Sequence, residues 1–270
     1  MKRFDTTVLS VAPIARDYFE LRFAVPPGAI AGTPAPGTFL TVKAGGGSEP
    51  LLRRPFAFSD FTAGDGPAPG SVNAAGSAAF IFQRRGRGTA WLAALAPGAP
   101  LDVLGPLGTG FPAPQRGSAP VLVAGGIGLG PILYLARRLT TNAYAGLCEA
   151  PFTALGFRSA AFVPSVDLPE ATVVCTDDGG TGFHGTVADW LRQFDPGKPP
   201  TYYACGPAPM MAAVAAVAAS RNAPYWAATE QWMACGVGAC MGCAVRLKDG
   251  GYARACADGP VFDGRALAWD

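Results

Sequence analysis

The chain has 270 residues, a net charge of +2 at neutral pH, a single histidine and 15% charged residues. Half of it is apolar, enough for a buried core, and no basic run exceeds a pair or so of residues, so a nucleic-acid footprint is not supported. The charged fraction is low for a free-standing monomer and points to surface covered by a partner. No apolar region follows Met1-Lys2-Arg3, and the most apolar stretch, Met210 to Ala219, is about half of a membrane span, so the expectation is a cytoplasmic protein with no membrane association.

Residues 1–112 read as β structure. Thr6–Val11, Tyr18–Phe23, Thr38–Val42, Ala79–Phe82 and Pro100–Leu104 are short apolar runs broken by Gly and Pro. Such spacing predicts an antiparallel barrel or sandwich. Ala44–Pro50 and Thr62–Gly76 read as loops. Arg54, near the end of a strand, is suited to pair bidentately with a pyrophosphate. Gly88-Thr89, opening a helix, offers N–H groups and a hydroxyl to the same phosphates. Alone, each motif reads as a basic strand end or a capped helix. Their joint order carries the argument.

Residues 113–228 alternate. Pro120–Ala124, Phe152–Phe157, Thr172–Thr176 and Thr201–Cys205 read as strands. Pro131–Leu139, Val187–Phe194 and Met210–Arg221 read as helices. The alternation predicts a parallel α/β sheet built from βαβ units. Gly125, Gly126 and Gly128 form a turn that lets a dinucleotide phosphate approach a helix N-terminus. It is not a clean GxGxxG, because Pro131 takes the last place, where it suits the first helical turn. Arg158 follows the second strand, Asp177 and Asp178 the third, and Cys205-Gly206-Pro207 the fourth. The plain alternatives are a small buried hydrophobe for Cys205 and a solvated turn for the aspartates. No acidic residue ends the second strand, and Arg158 is placed to meet a 2′-phosphate, so the residues leave NAD and NADP both open.

Residues 229–270 are rich in Gly and Cys and too short to build much core alone. Cys235, Cys240, Cys243 and Cys256 follow the spacing Cys-x4-Cys-x2-Cys-x12-Cys. Three ligands in one glycine-rich loop and a distant fourth is the plant-type [2Fe–2S] pattern. Structural zinc sites use paired Cys-x2-4-Cys knuckles instead. A Rieske centre needs two histidines, and this chain has only His184. Disulfides are disfavoured in a cytosolic chain.

On Arg54-Pro55-Phe56-Ala57 and the Gly88-Thr89 helix start, the sequence resembles the ferredoxin–NADP reductase-like flavoproteins. The resemblance implies that Arg54, Pro55, Phe56 and Ala57 meet FAD and that Gly88 and Thr89 hold its pyrophosphate. It implies that Ile81, Phe82 and Gln83 line the isoalloxazine through backbone groups. Ala57 departs from the usual Ser or Thr and removes a hydroxyl expected near N5. Gly125, Gly126, Gly128, Arg158, Asp178, Cys205, Gly206 and Pro207 are the implied nicotinamide crevice.

The order of flavin barrel, nucleotide domain and C-terminal [2Fe–2S] loop spans essentially the whole chain. It is similar to the electron-transfer subunits of class 1B dihydroorotate dehydrogenases, on Leu52-Arg53-Arg54-Pro55, Met233 to Cys243, and Cys256-Ala257-Asp258-Gly259-Pro260-Val261-Phe262. That likeness implies NAD and an FMN-containing catalytic partner in a heterotetramer. Electrons would cross the cluster singly to FAD and leave in pairs to NAD, for pyrimidine biosynthesis. One histidine and no nucleophile–base constellation fit an accessory subunit. The same three modules also occur in NADH-dependent ferredoxin–NADP oxidoreductases, sulfide dehydrogenases and hydrogenases, the alternative reading. A zinc-stapled binding protein is a third.

Overall fold

The structure, a computed structural model, describes residues 1–45, 47, 50–64, 76–141 and 147–269. Much of Thr62–Gly76 and part of Ala44–Pro50, expected as loops, lie outside the described residues.

The first half is one curled antiparallel sheet. Its strands are β1 (Lys2–Ala15), β2 (Tyr18–Val25), β3 (Phe39–Lys43), β4 (Arg54–Ala57), β5 (Asp60–Thr62), β6 (Gly76–Gln83) and β7 (Pro100–Leu107). The order is β4-β3-β7-β1-β2-β6-β5. β1 makes the curl. Its first part, Lys2 to Thr7, pairs with β7, and its remainder, from Val8, pairs with β2 across a register shift. A bulge there bends the strand so that one ribbon serves two halves of a barrel. Alternation supplies the core: Leu21, Phe23 and Val25 from β2, and Leu101 and Val103 from β7, point inward. The short helix α1 (Arg87–Ala93) follows β6 and buries Leu92 in this core.

The second half is a parallel sheet. Its strands are β8 (Ala119–Gly125), β9 (Phe152–Phe157), β10 (Thr172–Thr176), β11 (Phe183–His184), β12 (Pro200–Cys205) and β13 (Tyr225–Ala228). Helices α2 (Leu129–Leu139), α3 (Val187–Gln193) and α4 (Ala208–Ser220) connect them. All seven residues of β8 are buried, as a central strand covered on both faces requires. The strand order β11-β10-β9-β8-β12-β13 reverses direction between β8 and β12. That reversal opens a crevice beyond the carboxyl ends of these two strands, where open α/β sheets bind ligands. A Cβ on Gly128 would lie 2.0 Å from the Cys205 carbonyl oxygen, so the turns after β8 and β12 touch there.

The tail is woven into this sheet. It forms a hairpin, β14 (Ala244–Arg246) with β15 (Tyr252–Arg254), and then β16 (Val261–Asp263), which pairs antiparallel with β13. Cys243, Val245, Ala255, Cys256 and Leu267 share a core cluster with Phe39 and Leu107 of the barrel and Val121 and Tyr202 of the parallel sheet. Asp258-Gly259-Pro260 is the junction. The Gly259 carbonyl accepts from the Thr109 amide at 2.6 Å, and the Pro260 carbonyl accepts from the Thr229 amide at 2.9 Å. The Cys-rich tail therefore gains its core from both neighbours, which removes the size penalty of a short segment.

The barrel and the parallel sheet meet along α2. Arg137 donates from Nη1 to the Ser59 carbonyl at 3.1 Å, and the buried Tyr134 hydroxyl donates to the Pro34 carbonyl at 2.8 Å. The Ser165 amide donates to the Ile14 carbonyl at 2.7 Å.

Candidate functional site

Three arrangements meet around this junction. The first is the cysteine loop. Gly236 and Gly238 have φ of +69° and +82°, and Met241 joins them at +59°. The two glycines take this region freely; a side-chain-bearing residue there costs about 1–3 kcal/mol and marks a constrained functional loop. The turns aim amides at sulfur. Val237 and Ala239 donate to Cys235 Sγ at 3.4 and 3.3 Å, Gly238 to Cys256 Sγ at 3.1 Å, and Gly242 to Cys240 Sγ at 3.5 Å. Led by the Val237 amide, with the Ala239 amide adding to it, the donors at Cys235 pull its thiol down to about 6. A thiolate is thereby favoured, as a metal ligand requires.

The sulfurs come in two pairs. Cys243 and Cys256 Sγ are 3.2 Å apart and buried, whereas Cys235 is half-buried and Cys240 exposed, each receiving loop amides. Among the described residues, no three His, Cys, Asp or Glu side chains close on a single ion. Two pairs fit a two-iron core, in which each iron takes two cysteines. One zinc would draw all four around a single point. The residues present therefore fit a [2Fe–2S] cluster.

Arg254 braces the loop from below. It pairs with Asp258 through Nε and Nη2 at 2.9 Å each and donates from Nη1 to the Gly238 carbonyl at 2.8 Å. This guanidinium holds the Asp258 carboxyl down at about 2.

The second arrangement joins β4 to α1. A Cβ on Gly88 would sit 3.1 Å from Arg54 Nε. The guanidinium and the start of α1 thus share one space, which any side chain at position 88 would fill. That fits a cradle for a pyrophosphate. The Thr89 hydroxyl is engaged within the turn, accepting from the Arg85 and Gly86 amides at 2.9 and 3.1 Å. Phe56 stacks on Phe80 with centroids 4.4 Å apart and planes 10° apart. Pro55 and Ala57 are half-buried beside it, and Ile81 and Phe82 are buried in β6.

The third is a cleft of about 920 Å³ at the strand-order reversal. Gly125, Gly126, Arg158, Gly206 and Pro207 line it. Gly126 takes φ +53°, and a Cβ on Gly125 would lie 2.6 Å from Met210 Sδ, so both positions need the missing side chain. Gln83 reaches the cleft from the barrel, so the flavin segment and the nucleotide segment share a wall. Gly128 sits one step back, where the turns cross. Burial pushes the Cys205 thiol up to about 12, with the Glu230 carboxylate adding to it, so it is a neutral thiol.

A cysteine loop, an Arg54–Gly88 recess and a glycine-lined cleft thus occur in one molecule. Residues 230–268 match the family described as the iron–sulfur cluster binding domain of dihydroorotate dehydrogenase B. The whole chain aligns, at 33% identity over 285 positions and 99% of the other protein's length, with the dihydroorotate dehydrogenase B (NAD(+)) electron transfer subunit of Desulforamulus reducens. The chain belongs to the dihydroorotate dehydrogenase B electron transfer subunit family. The namesake of Bacillus caldolyticus is 38% identical over 238 positions, covering 84% of each chain.

Among solved structures, this family member resembles an NADH-dependent reduced ferredoxin–NADP oxidoreductase chain, with a TM-score of 0.77, 24% identity, and 98% and 90% of the two chains covered. It also resembles phthalate dioxygenase reductase, with a TM-score of 0.63, 19% identity, and 91% and 87% covered. These two share the fold.

Not every residue singled out from the sequence reaches the cleft. Asp178 turns back on its own loop, where Oδ1 accepts from the Gly180 amide at 2.9 Å, whereas Asp177 lines the cleft. Tyr18, Arg85 and Glu230 line it too, and sequence reading passed over all three. Tyr18 opens β2 and pairs with Gln83, a contact across 65 positions that no local pattern announces. Glu230 sits five residues before the first cluster cysteine and was hidden in the start of the tail.

Proposed function

We propose that this chain is the electron-carrying subunit that couples dihydroorotate oxidation, carried out by an FMN-containing partner, to reduction of NAD. The observation that carries the reading is the paired set of four cysteine sulfurs beside a phosphate cradle and a dinucleotide cleft. Full-length kinship to subunits of that name favours it over the ferredoxin-, sulfide- or hydrogen-linked alternatives. Its cofactors are FAD, one [2Fe–2S] cluster and NAD.

When bound, FAD exchanges electrons in pairs with a nicotinamide and singly with an iron–sulfur cluster. The chain's residues arrange that exchange. Arg54 and the α1 start would hold the flavin phosphates. Phe56, fixed against Phe80, would offer an aromatic face to the ring. Gly125, Gly126, Gly206 and Pro207 admit the nicotinamide nucleotide, with Arg158 and Arg85 supplying positive charge to its phosphates. The Val237 and Ala239 amides favour a thiolate at Cys235, and burial of Cys243 and Cys256 keeps water from that pair.

A partner must reach the cluster, and the loop offers an edge. Cys240 is exposed, and so are the apolar side chains of Val237, Met241 and the 93% exposed Trp232. An exposed apolar rim of this kind supports a docked subunit. We read the assembly as a heterotetramer of two such pairs in the cytoplasm. Among the described residues, no helix is long and apolar enough to cross a membrane. The working division is residues 1–112 for FAD, 113–228 for NAD and 229–270 for the cluster.

The test is coexpression with an FMN-containing dihydroorotate dehydrogenase catalytic subunit. The expected result is copurification and dihydroorotate-dependent NAD reduction by the complex. The isolated chain should reduce artificial dyes with NADH and leave dihydroorotate untouched. Dihydroorotate oxidation by the isolated chain overturns the subunit assignment.

A further inference from the structure

Arg53 and Arg54 face two different parts of the molecule. Successive residues of an extended chain project to opposite sides. Arg54 reaches toward Gly88 and the phosphate cradle. Arg53 turns the other way, into the seam between β3 and β7. There its Nε donates to Thr41 Oγ1 at 2.9 Å, and its Nη2 donates to the Thr41 and Asp102 carbonyls at 3.1 and 2.9 Å and to Asp102 Oδ1 at 2.9 Å. Asp102 is fixed from its far side by Arg3 at 2.9 Å. The Arg53 guanidinium is thus immobilised by four bonds on a rigid pair of strands.

Thr41 is the link to the cysteine loop. It is 2% exposed. A Cβ placed on Gly236 would lie 3.2 Å from Thr41 Cγ2. Gly236 is the residue after Cys235, and its left-handed turn aims the Val237 amide at the Cys235 sulfur. Arg53 therefore holds the hydroxyl of the side chain whose methyl is the wall for that turn.

We propose that Arg53 is a positioning residue for the iron–sulfur cluster: acting through Thr41, it fixes the Cys235–Val237 turn against the strand that leads into the flavin cradle. Arg53 touches no cofactor itself. Its role is to tie the cluster loop, through Thr41, to the strand entry that carries the neighbouring Arg54. Electron exchange between cluster and flavin then occurs at a set geometry, and the Val237 amide keeps its aim at the sulfur. The proposal rests on the electron-carrier reading above.

The test uses the holo complex with its partner, comparing wild type with Arg53→Met, Arg53→Lys and Thr41→Ser. The readouts are iron and flavin content, the visible circular dichroism of the oxidised cluster and the electron paramagnetic resonance signal of the reduced one. Arg53→Met should keep flavin and iron yet shift both spectra, and Arg53→Lys should restore them in part. Thr41→Ser keeps the hydroxyl and removes the methyl facing Gly236, so it should shift the spectra with Arg53 intact. It also decides the matter if Arg53→Met fails to fold. Wild-type spectra in Thr41→Ser, or in a folded Arg53→Met, overturn the proposal while leaving the electron-carrier reading standing. Absence of a [2Fe–2S] signal in the wild type overturns that reading instead.

Discussion

The cysteine loop and the turn after β8 are both glycine-rich, yet they spend their glycines on different physical needs. In the loop, Gly236 and Gly238 adopt left-handed φ so that consecutive amides face sulfur. In the turn, Gly125 and Gly128 are there because another chain segment occupies the space of a side chain, Met210 against one and the Cys205 carbonyl against the other. The loop glycines chiefly shape a donor array; Gly125 and Gly128 chiefly make room. The first need leaves a mark in the sequence, because ligand spacing fixes the loop. The second leaves only glycines, which many turns share.

Four experiments probe this contrast. The largest effect belongs to Cys240→Ala, which removes the exposed one of the four proposed ligands. Iron content should fall to background and the tail should lose protease resistance, since ligation and folding are coupled. Full iron content in this variant would remove Cys240 from the ligand set. Next is Gly128→Ala. A Cβ 2.0 Å from a backbone oxygen forces the turns after β8 and β12 apart. We expect a stability loss of about 1–3 kcal/mol and weakened nucleotide binding by calorimetry, with the cluster spectrum retained.

Gly238→Ala should do the reverse. It adds left-handed strain of about 1–2 kcal/mol. It also places a Cβ 2.9 Å from Ala257 Cβ. Iron loading should drop while nucleotide affinity stays near wild type. If both glycine variants damage both sites equally, the division of labour between the two regions fails.

The smallest effect tests the frame around the cleft. Asp189 closes the capping box of α3 with Thr186, whose hydroxyl and amide hold its carboxyl below the usual range. A depressed carboxyl contributes stability at pH above its unfolded value, near 3.9, and that contribution disappears as pH falls through the folded value. Asp189→Ala should therefore lower the thermal midpoint slightly at neutral pH, with the gap from wild type closing below about pH 4. A gap independent of pH would mean the carboxylate is not what caps the helix.

Much of the fold was legible in local pattern. Alternating apolar runs located β2, β3, β6 and β7, and the buried run at Pro120–Ala124 located β8. What escaped were elements defined by distant partners. β13, with sequence Tyr-Trp-Ala-Ala, has too little pattern to announce itself and exists because β12 and β16 flank it. β1 runs to 14 residues rather than the expected Thr6–Val11 core, because its outer residues are exposed and held by pairing with two neighbours. At the site, cysteine spacing marked the loop, and Arg54 and Gly88, read as one motif pair, lie together in the fold. Tyr18, Arg85 and Glu230 were invisible because the fold alone brings them to the cleft. Arg53 stood inside the motif but had no evident task until its bonds to Thr41 and Asp102 appeared.

The central claim is that the two sulfur pairs hold two irons. Metal and sulfide analysis of the anaerobically purified chain, read together with Mössbauer spectroscopy, tests it most directly. Two irons and two acid-labile sulfides per chain, with both irons in tetrahedral sulfur surroundings, is the predicted outcome. One zinc per chain and no labile sulfide would contradict it.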